Sequence, residues 1–389
     1  MKVLIVPMAA MAETSGPSGR CRILAAGFRD ADIETATCMA EDVNYRTVDG
    51  IYNYYLDVPM PLGLPELIAT RTFPIAQKLG ITSRKTVNSF DEVLWLTGNL
   101  DYGYLKASVD SVRSAIRKFK PDVVYSEFNI SAIIAAGIEQ IPLAVTVSYP
   151  TQHEYAHRSD LAKGINRLLS ELGLQEVDSA LQLFDRADKK FCPSIPELEP
   201  IKKPDVYFCG ALKSMRSAEE TKVRDKIVVY MGNGTVSPTR MLKIVQESFM
   251  GGKYDVYLAS ASLKETDYGN IHVAKRWDFD ELLDEAVLFI NHGGQNSIVD
   301  GLIHGVPQIM IPGKVFERRY NARSVVDNGA GVEISINDLC SSKIKEVAEQ
   351  LIESPDAAEK AAILGGKLTS AGGVGKIVER ISEIGLKTV

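Results

Sequence analysis

The chain has 389 residues, 45 % hydrophobic and 24 % charged, with 30 glycines and 17 prolines. That composition is that of a soluble globular protein and excludes collagen, coiled coil and extended disorder. A formal net charge of −6 gives no electrostatic ground for nucleic-acid binding, and no basic run offers a membrane-surface patch. No apolar stretch reaches the roughly 18 residues that a membrane helix needs. The five cysteines are odd in number and scattered, without CxxC or Cys/His spacing, which points to a reducing cytoplasm rather than disulfides or zinc.

Along the chain, Lys2 to Ala12 ends in the small-x-small form of a signal-peptide site. Val3-Leu4-Ile5-Val6 before Pro7 reads better as a buried parallel strand. Further strands are predicted at 33–37, 122–126 and 143–146. Between them the clearest helix runs from Tyr102 to Phe119, where Leu105, Val109, Val112 and Ile116 recur at helical spacing before Pro121. The second half repeats the scheme. Its strands are predicted at 227–231, 255–259, 287–291, 308–311 and 331–334, and its helices start at Ser237-Pro238, around Ser297 and near Arg319. Four prolines between Pro193 and Lys226, with one short strand candidate at Val206 to Cys209, place a linker there.

The reading is therefore α/β, with a first domain over residues 1–200, a second over 201–372 and a terminal segment over 373–389. Alternating strands and helices give parallel sheets covered on both faces. Two such domains facing one another leave a cleft, lined by the carboxyl ends of their strands. The aromatic stretch Ile51 to Leu64 either shapes a pocket there or packs into the core.

The most informative segment is Phe289-Ile-Asn-His-Gly-Gly-Gln-Asn-Ser-Ile-Val-Asp300. A buried strand ends at Asn291, two glycines permit a tight turn, and a helix opens on Gln295, Asn296 and Ser297. Unpaired N–H groups and the positive dipole end make that helix start an anion site, and the surrounding hydroxyl and amide side chains suit a diphosphate. His292 adds a donor, unless it is a satisfied core histidine. In the first half, the loop around Glu13, Thr14, Ser15, Gly16, Ser18 and Arg20 precedes a helix; it is either an ordinary capped turn or a second anion cradle with Arg20 as clamp. His153 and His157 have the i, i+4 spacing of a metal pair, yet no metal is expected; acceptor contact or a plain surface helix is the reading. Gly372-Gly-Val-Gly-Lys376 is followed by Ile377 and fails as a nucleotide-triphosphate loop.

The segment from Phe289 to Gln308 resembles the donor-binding signature of inverting glycosyltransferases with two facing Rossmann-like domains, family 1 and the related bacterial N-acetylglucosaminyltransferases. Val228 to Thr235, Arg276 to Leu283 and Pro312 to Ala322 are similar to further stretches of that family. The resemblance is strong from about Ile227 to Gly331 and only architectural before it. It implies a GT-B type fold and a UDP- or TDP-sugar as cosubstrate, with no other cofactor. The acceptor is a small molecule, a lipid or a glycan.

By the same resemblance the donor is held by Thr235, Arg276, Trp277, His292, Gly293, Gly294, Gln295, Asn296, Ser297, Asp300, Glu317 and Arg318. Asp300 stands where the family usually has Glu, and Glu317-Arg318 where many members have Asp-Gln. The acceptor would meet Ser15, Gly16, Ser18, Arg20 and His153, and the terminal helix would cross back onto the first domain. Many members carry a basic histidine on the first loop, and here there is none. Either Glu13 is the base, its pKa raised by desolvation, or the acceptor is already ionised. Catalysis is thus assigned to Glu13 and His292, the latter on the departing diphosphate. A sugar-nucleotide epimerase and a noncatalytic nucleotide-binding subunit are the alternatives.

Overall fold

Fourteen strands fall into two sheets of seven in the computed structural model, which describes residues 1–10, 15–41, 47–69, 71, 86–213, 223–232 and 235–385. The described parts of Met1–Arg71, Asn88–Ser214 and Ala371–Val389 form one unit, and those of Thr72–Val87 and Met215–Ser370 the other.

In the first unit the strands are β1 (Lys2–Pro7), β2 (Glu34–Met39), β3 (Tyr52–Tyr55), β4 (Val123–Glu127), β5 (Leu143–Thr146), β6 (Lys189–Cys192) and β7 (Val206–Phe208). They lie in the order β3-β2-β1-β4-β5-β6-β7, all parallel. The apolar run Val3 to Val6 is fully buried because helices cover both faces of a parallel sheet. The predicted helix is observed at Tyr102–Phe119. Asp101 caps its start by accepting from the Tyr104 N–H, and Lys120 in the left-handed region ends it before Pro121.

Two strands of this sheet, Tyr52–Tyr55 and Lys189–Cys192, were not anticipated, whereas Val206 to Cys209 was read as a short strand candidate and is observed at Val206–Phe208. The Tyr52–Tyr55 segment is an edge strand with Tyr52 and Tyr55 mostly exposed, so it has no buried face to announce it. The β6 strand opens on Lys189-Lys190, and the buried Lys190 is matched by Asp205. The strand at 206–208 is the sheet's far edge. The terminal helix, Gly373–Gly385, belongs to this unit. Its Ile377, Ile381 and Ile384 share a core with Val3, Ile5, Leu24 and Phe28.

The second unit holds β8 (Lys226–Tyr230), β9 (Asp255–Ala259), β10 (Thr266–Tyr268), β11 (Ile271–Ala274), β12 (Ala286–Asn291), β13 (Gln308–Met310) and β14 (Gly331–Glu333). Their order is β10-β11-β9-β8-β12-β13-β14, with only β10 antiparallel. The two-residue period sends Ile227, Val229, Leu288 and Ile290 to one core, and Val228 and Phe289 to another on the opposite face. Ser237 caps the helix Pro238–Phe249 by accepting from the Arg240 N–H, as the Ser-Pro signal predicts. Strand order reverses at β8, between β9 and β12, and the crevice beyond the carboxyl ends of β8 and β12 is where ligands bind in such sheets.

The helix that begins this crevice, Gln295–Ile303, is set in place by the helix Pro355–Ser370. A Cβ on Gly365 would lie 2.0 Å from the Leu302 carbonyl oxygen, so only glycine allows this approach. Gly365→Ala is expected to lower stability by roughly 1–3 kcal/mol in chemical denaturation. Gly366→Ala, where a Cβ meets nothing within 4 Å, should leave stability unchanged or raise it by about 0.5–1 kcal/mol.

Candidate functional site

The loop leaving β12 is shaped by side-chain amides. The Asn291 Oδ1 accepts from the Gly293 N–H at 2.8 Å, while its Nδ2 donates to the Gln308 Oε1 at 2.7 Å. Gln308 in turn donates to the Ile298 carbonyl at 2.9 Å, and Asn321 donates to the Gly293 carbonyl at 3.1 Å. Gly293 sits at φ +76, and a Cβ there would meet the Arg318 carbonyl oxygen at 2.8 Å. A side chain at Gly294 would strike the His292 Nε2 at 2.6 Å. These contacts hold a narrow turn directly onto the helix Gln295–Ile303, whose N-cap, Gly294, has no side chain to satisfy the first N–H groups.

Beside this helix start the donors converge. His292 is 9 % exposed, and its Nδ1 is buried with no hydrogen-bond partner among the described residues. An orphaned buried nitrogen is costly unless a ligand or water meets it. Burial, reinforced by the Arg318 charge, pushes the His292 pKa down from 6.5 to about 3, with the Tyr230 backbone opposing. The ring is therefore neutral near pH 7 and carries one N–H. Arg318 Nη1 donates to Thr235 Oγ1 at 2.6 Å, which leaves the hydroxyl's own hydrogen to donate elsewhere. Burial also lowers the Arg318 pKa, against the attraction of Glu317.

The structure thus brings His292, Gly293, Gly294, Thr235 and Arg318 together at the ends of β8 and β12. On the adjoining helix Gln295 is half-buried, Asn296 exposed and Ser297 buried, and Asp300 lies half-buried one turn beyond Asn296. Glu317 is half-buried in the first turn of the helix Phe316–Asp327. Arg276 is exposed. Trp277 spends its indole N–H on the Leu258 carbonyl at 3.3 Å and packs edge-on to Tyr257, with ring centroids 5.1 Å apart. Asn291, Gln308 and Asn321 were not singled out from sequence. The available signal was a polar residue closing the apolar strand Ala286–Asn291, where Asn291 is fully buried.

In the first unit Glu13 lies outside the described residues, as does the side chain of Ser15. Gly16 is half-buried and Ser18 buried in the helix Ser15–Asp30. Arg20 is the partner of a buried carboxylate. Its Nε lies 2.5 Å from Glu127 Oε1, the two side chains being 8 % and 0 % exposed, and its guanidinium sits 5.2 Å from the Phe128 ring centroid. The other Glu127 oxygen accepts from Thr146 Oγ1. His153 and His157 lie on turns, not on a surface helix, because 3-10 turns at Tyr149–Thr151 and Ser159–Ala162 bracket them.

Residues 261–384 match the family model described as "Erythromycin biosynthesis protein CIII-like, C-terminal domain". The chain is 28 % identical over 140 residues to the NDP-glycosyltransferase YjiC of Bacillus licheniformis, a match covering 35 % of each chain. The chain so spans about a third of that relative's length. Over 302 residues it is 28 % identical to the UDP-N-acetylglucosamine--N-acetylmuramyl-(pentapeptide) pyrophosphoryl-undecaprenol N-acetylglucosamine transferase of Moorella thermoacetica, covering 70 % of this chain and 76 % of that one. Among solved structures, the glycotransferase of kitacinnamycin superposes with a TM-score of 0.75 at 16 % identity, covering 98 % of both chains.

Two outcomes test this geometry. His292 takes up protons more readily unfolded than folded, so between its ordinary 6.5 and its folded value of about 3 stability falls as pH falls. His292→Gln should flatten the slope of unfolding free energy between pH 6.5 and 5, whereas an identical slope contradicts the burial. Arg20→Ala leaves Glu127 buried and unpaired and is expected to cost about 3–5 kcal/mol in denaturant melts at pH 7. The chain thus has a fold of two Rossmann-like domains of the GT-B type, and these matches make it similar to family 1-type glycosyltransferases.

Proposed function

We propose that the chain transfers a sugar, with inversion, from a UDP- or TDP-sugar to an acceptor hydroxyl or anionic group. The observation that carries this reading is the glycine-capped helix start at 294–297, at the reversal of strand order, with the orphaned His292 Nδ1 beside it. Main-chain N–H groups at a helix start bind phosphate oxygens, and the dipole favours the growing negative charge of a departing nucleoside diphosphate. In the tautomer with its one hydrogen on the unpartnered Nδ1, His292 donates without adding a charge. Arg318 supplies the positive charge, and Thr235, already accepting from Arg318, donates its hydroxyl hydrogen.

In this reading Ser297, Asn296 and Gln295 frame the diphosphate. Asp300 takes the ribose hydroxyls, and Glu317 stands at the sugar. Trp277, fixed by Leu258 and Tyr257, presents its remaining ring surface to the base, with Arg276 at the rim. The acceptor is a small molecule, a lipid or a glycan, bound by the first unit at the loop holding Glu13 and the helix start at Ser15 and Gly16. Glu13 removes the acceptor proton unless the acceptor arrives ionised. Among the described residues no helix is long and apolar enough to cross a membrane. All five cysteines are free and four are buried, which accords with a cytoplasmic setting.

The test is incubation with UDP- and TDP-sugars and a panel of alcohols, phenols and carboxylic acids. Nucleoside diphosphate release should depend on acceptor, and His292→Ala should lower kcat by roughly 100-fold or more. Isomerisation of the sugar nucleotide without acceptor, or binding without turnover, would contradict the proposal. Glu13→Gln then separates the two acceptor cases: unchanged turnover assigns the ionised acceptor.

A further inference from the structure

Away from the β8 and β12 loops, His153, His157 and Asp178 bring one ligand atom each to within 4.8 Å of one another. All three belong to the first unit. The histidines stand on the turn after β5, and Asp178 precedes the 3-10 helix Ala180–Arg186. The sequence is His153-Glu154-Tyr155-Ala156-His157, which is in the His-Glu-x-x-His register. It is not helical, however, and Glu154 is turned to Lys203 at 3.1 Å, so the metalloprotease arrangement of that motif is absent. The backbone instead stacks the two imidazoles, with centroids 3.8 Å apart and planes 22° from parallel.

The bond to the His153 carbonyl fixes where the His157 lone pair is. His157 Nδ1 lies 3.0 Å from the His153 backbone carbonyl oxygen, and since a carbonyl only accepts, Nδ1 carries the hydrogen. The neutral ring then has a bare Nε2, 3.1 Å from the carboxylate oxygen Asp178 Oδ2. His153 Nδ1 lies 3.0 Å from Ser179 Oγ, an atom that accepts from the Leu181 N–H, and His153 Nε2 lies 3.7 Å from the same Asp178 oxygen. His157 Nε2 and Asp178 Oδ2 are thus both acceptors, and His153 Nε2 is a third in the tautomer whose Nδ1 hydrogen goes to Ser179 Oγ. A metal ion joins all three once one imidazole turns out of the stack, because two near-parallel rings 3.8 Å apart do not aim both lone pairs at one centre.

We propose that His153 Nε2, His157 Nε2 and the Asp178 carboxylate bind a divalent cation of the zinc, cobalt or nickel class. Two imidazoles and one carboxylate are the ligand set such borderline ions prefer over calcium or magnesium. Ligands about 2.0–2.2 Å from a tetrahedral centre stand roughly 3.3–3.5 Å apart, a spacing that the 3.1 and 3.7 Å separations bracket. The His153 carbonyl and Ser179 Oγ act as outer partners that orient the rings. With three protein ligands the ion keeps a position open to solvent. Bound, it clips the turn after β5 to the segment before the 3-10 helix Ala180–Arg186, and it takes His153 from acceptor contact to metal ligation.

The proposal is tested on the full chain after chelation and dialysis, by titration with Co2+ and then Zn2+. One Co2+ per chain should bind with the visible absorption of a four- or five-coordinate ion, Zn2+ should displace it, and stoichiometric Zn2+ should raise Tm. Asp178→Asn and His157→Ala, at exposed positions, should each weaken uptake by at least about 10-fold. His272→Ala, which removes another histidine flanked by aspartates, should change nothing. No stoichiometric uptake by the unmutated chain overturns the proposal without recourse to variants. So does uptake that survives both substitutions or depends on His272. None of these readouts involves sugar transfer, so the outcome is separate from that of the donor cradle.

Discussion

The arrangement of the second unit turns on a helix start left without a side-chain cap. Gly294 precedes Gln295 and cannot fold back on the exposed N–H groups as Ser237 does for its own helix. The turn is kept from collapsing by Asn291 and Asn321, which hold both polar groups of Gly293, and by Gln308, which ties Asn291 to the Ile298 carbonyl. A chain of satisfied amides thus holds the turn before a helix that has no side-chain cap. Buried polar groups without partners are uncommon in folded proteins. The uncapped helix start and the orphaned His292 Nδ1 meet at the corner where the proposed diphosphate would bind.

The first unit makes the contrast instructive. It has the same parallel sheet, and its strand order reverses at β1, with β4 as the next strand. The carboxylate at the end of β4, Glu127, is buried and already answered by Arg20 and Thr146. Asn129 caps the following helix and also donates to the Pro7 carbonyl at 3.0 Å. Phe128 between them is held in the left-handed region at φ 59, a conformation that a bulky residue adopts only when its surroundings enforce it.

Much of this was legible from sequence because it is local. Strands at 143–146 and 255–259, the helix at 102–119 and the Ser237-Pro238 helix start follow from periodicity and capping over a few residues. So does the glycine turn before Gln295. What was not legible depends on partners far away in the chain. Arg20 reads as a clamp until Glu127, over a hundred residues on, takes its charge. Asn291 is a strand end until Gln308 and Gly293 define its two bonds. Asp178 is an ordinary acid until the turn after β5 brings two imidazoles to it. Edge strands such as Tyr52–Tyr55 fail for another reason, since half-exposed strands lack the apolar pattern that marks a core strand.

The most direct measurement is a crystal structure of the chain with uridine or thymidine diphosphate. The account predicts phosphate oxygens within hydrogen-bonding distance of the main-chain nitrogens at 295–297, with the His292 ring and the Thr235 hydroxyl completing the cradle. A diphosphate bound elsewhere, or that corner closed by neighbouring side chains, would contradict it.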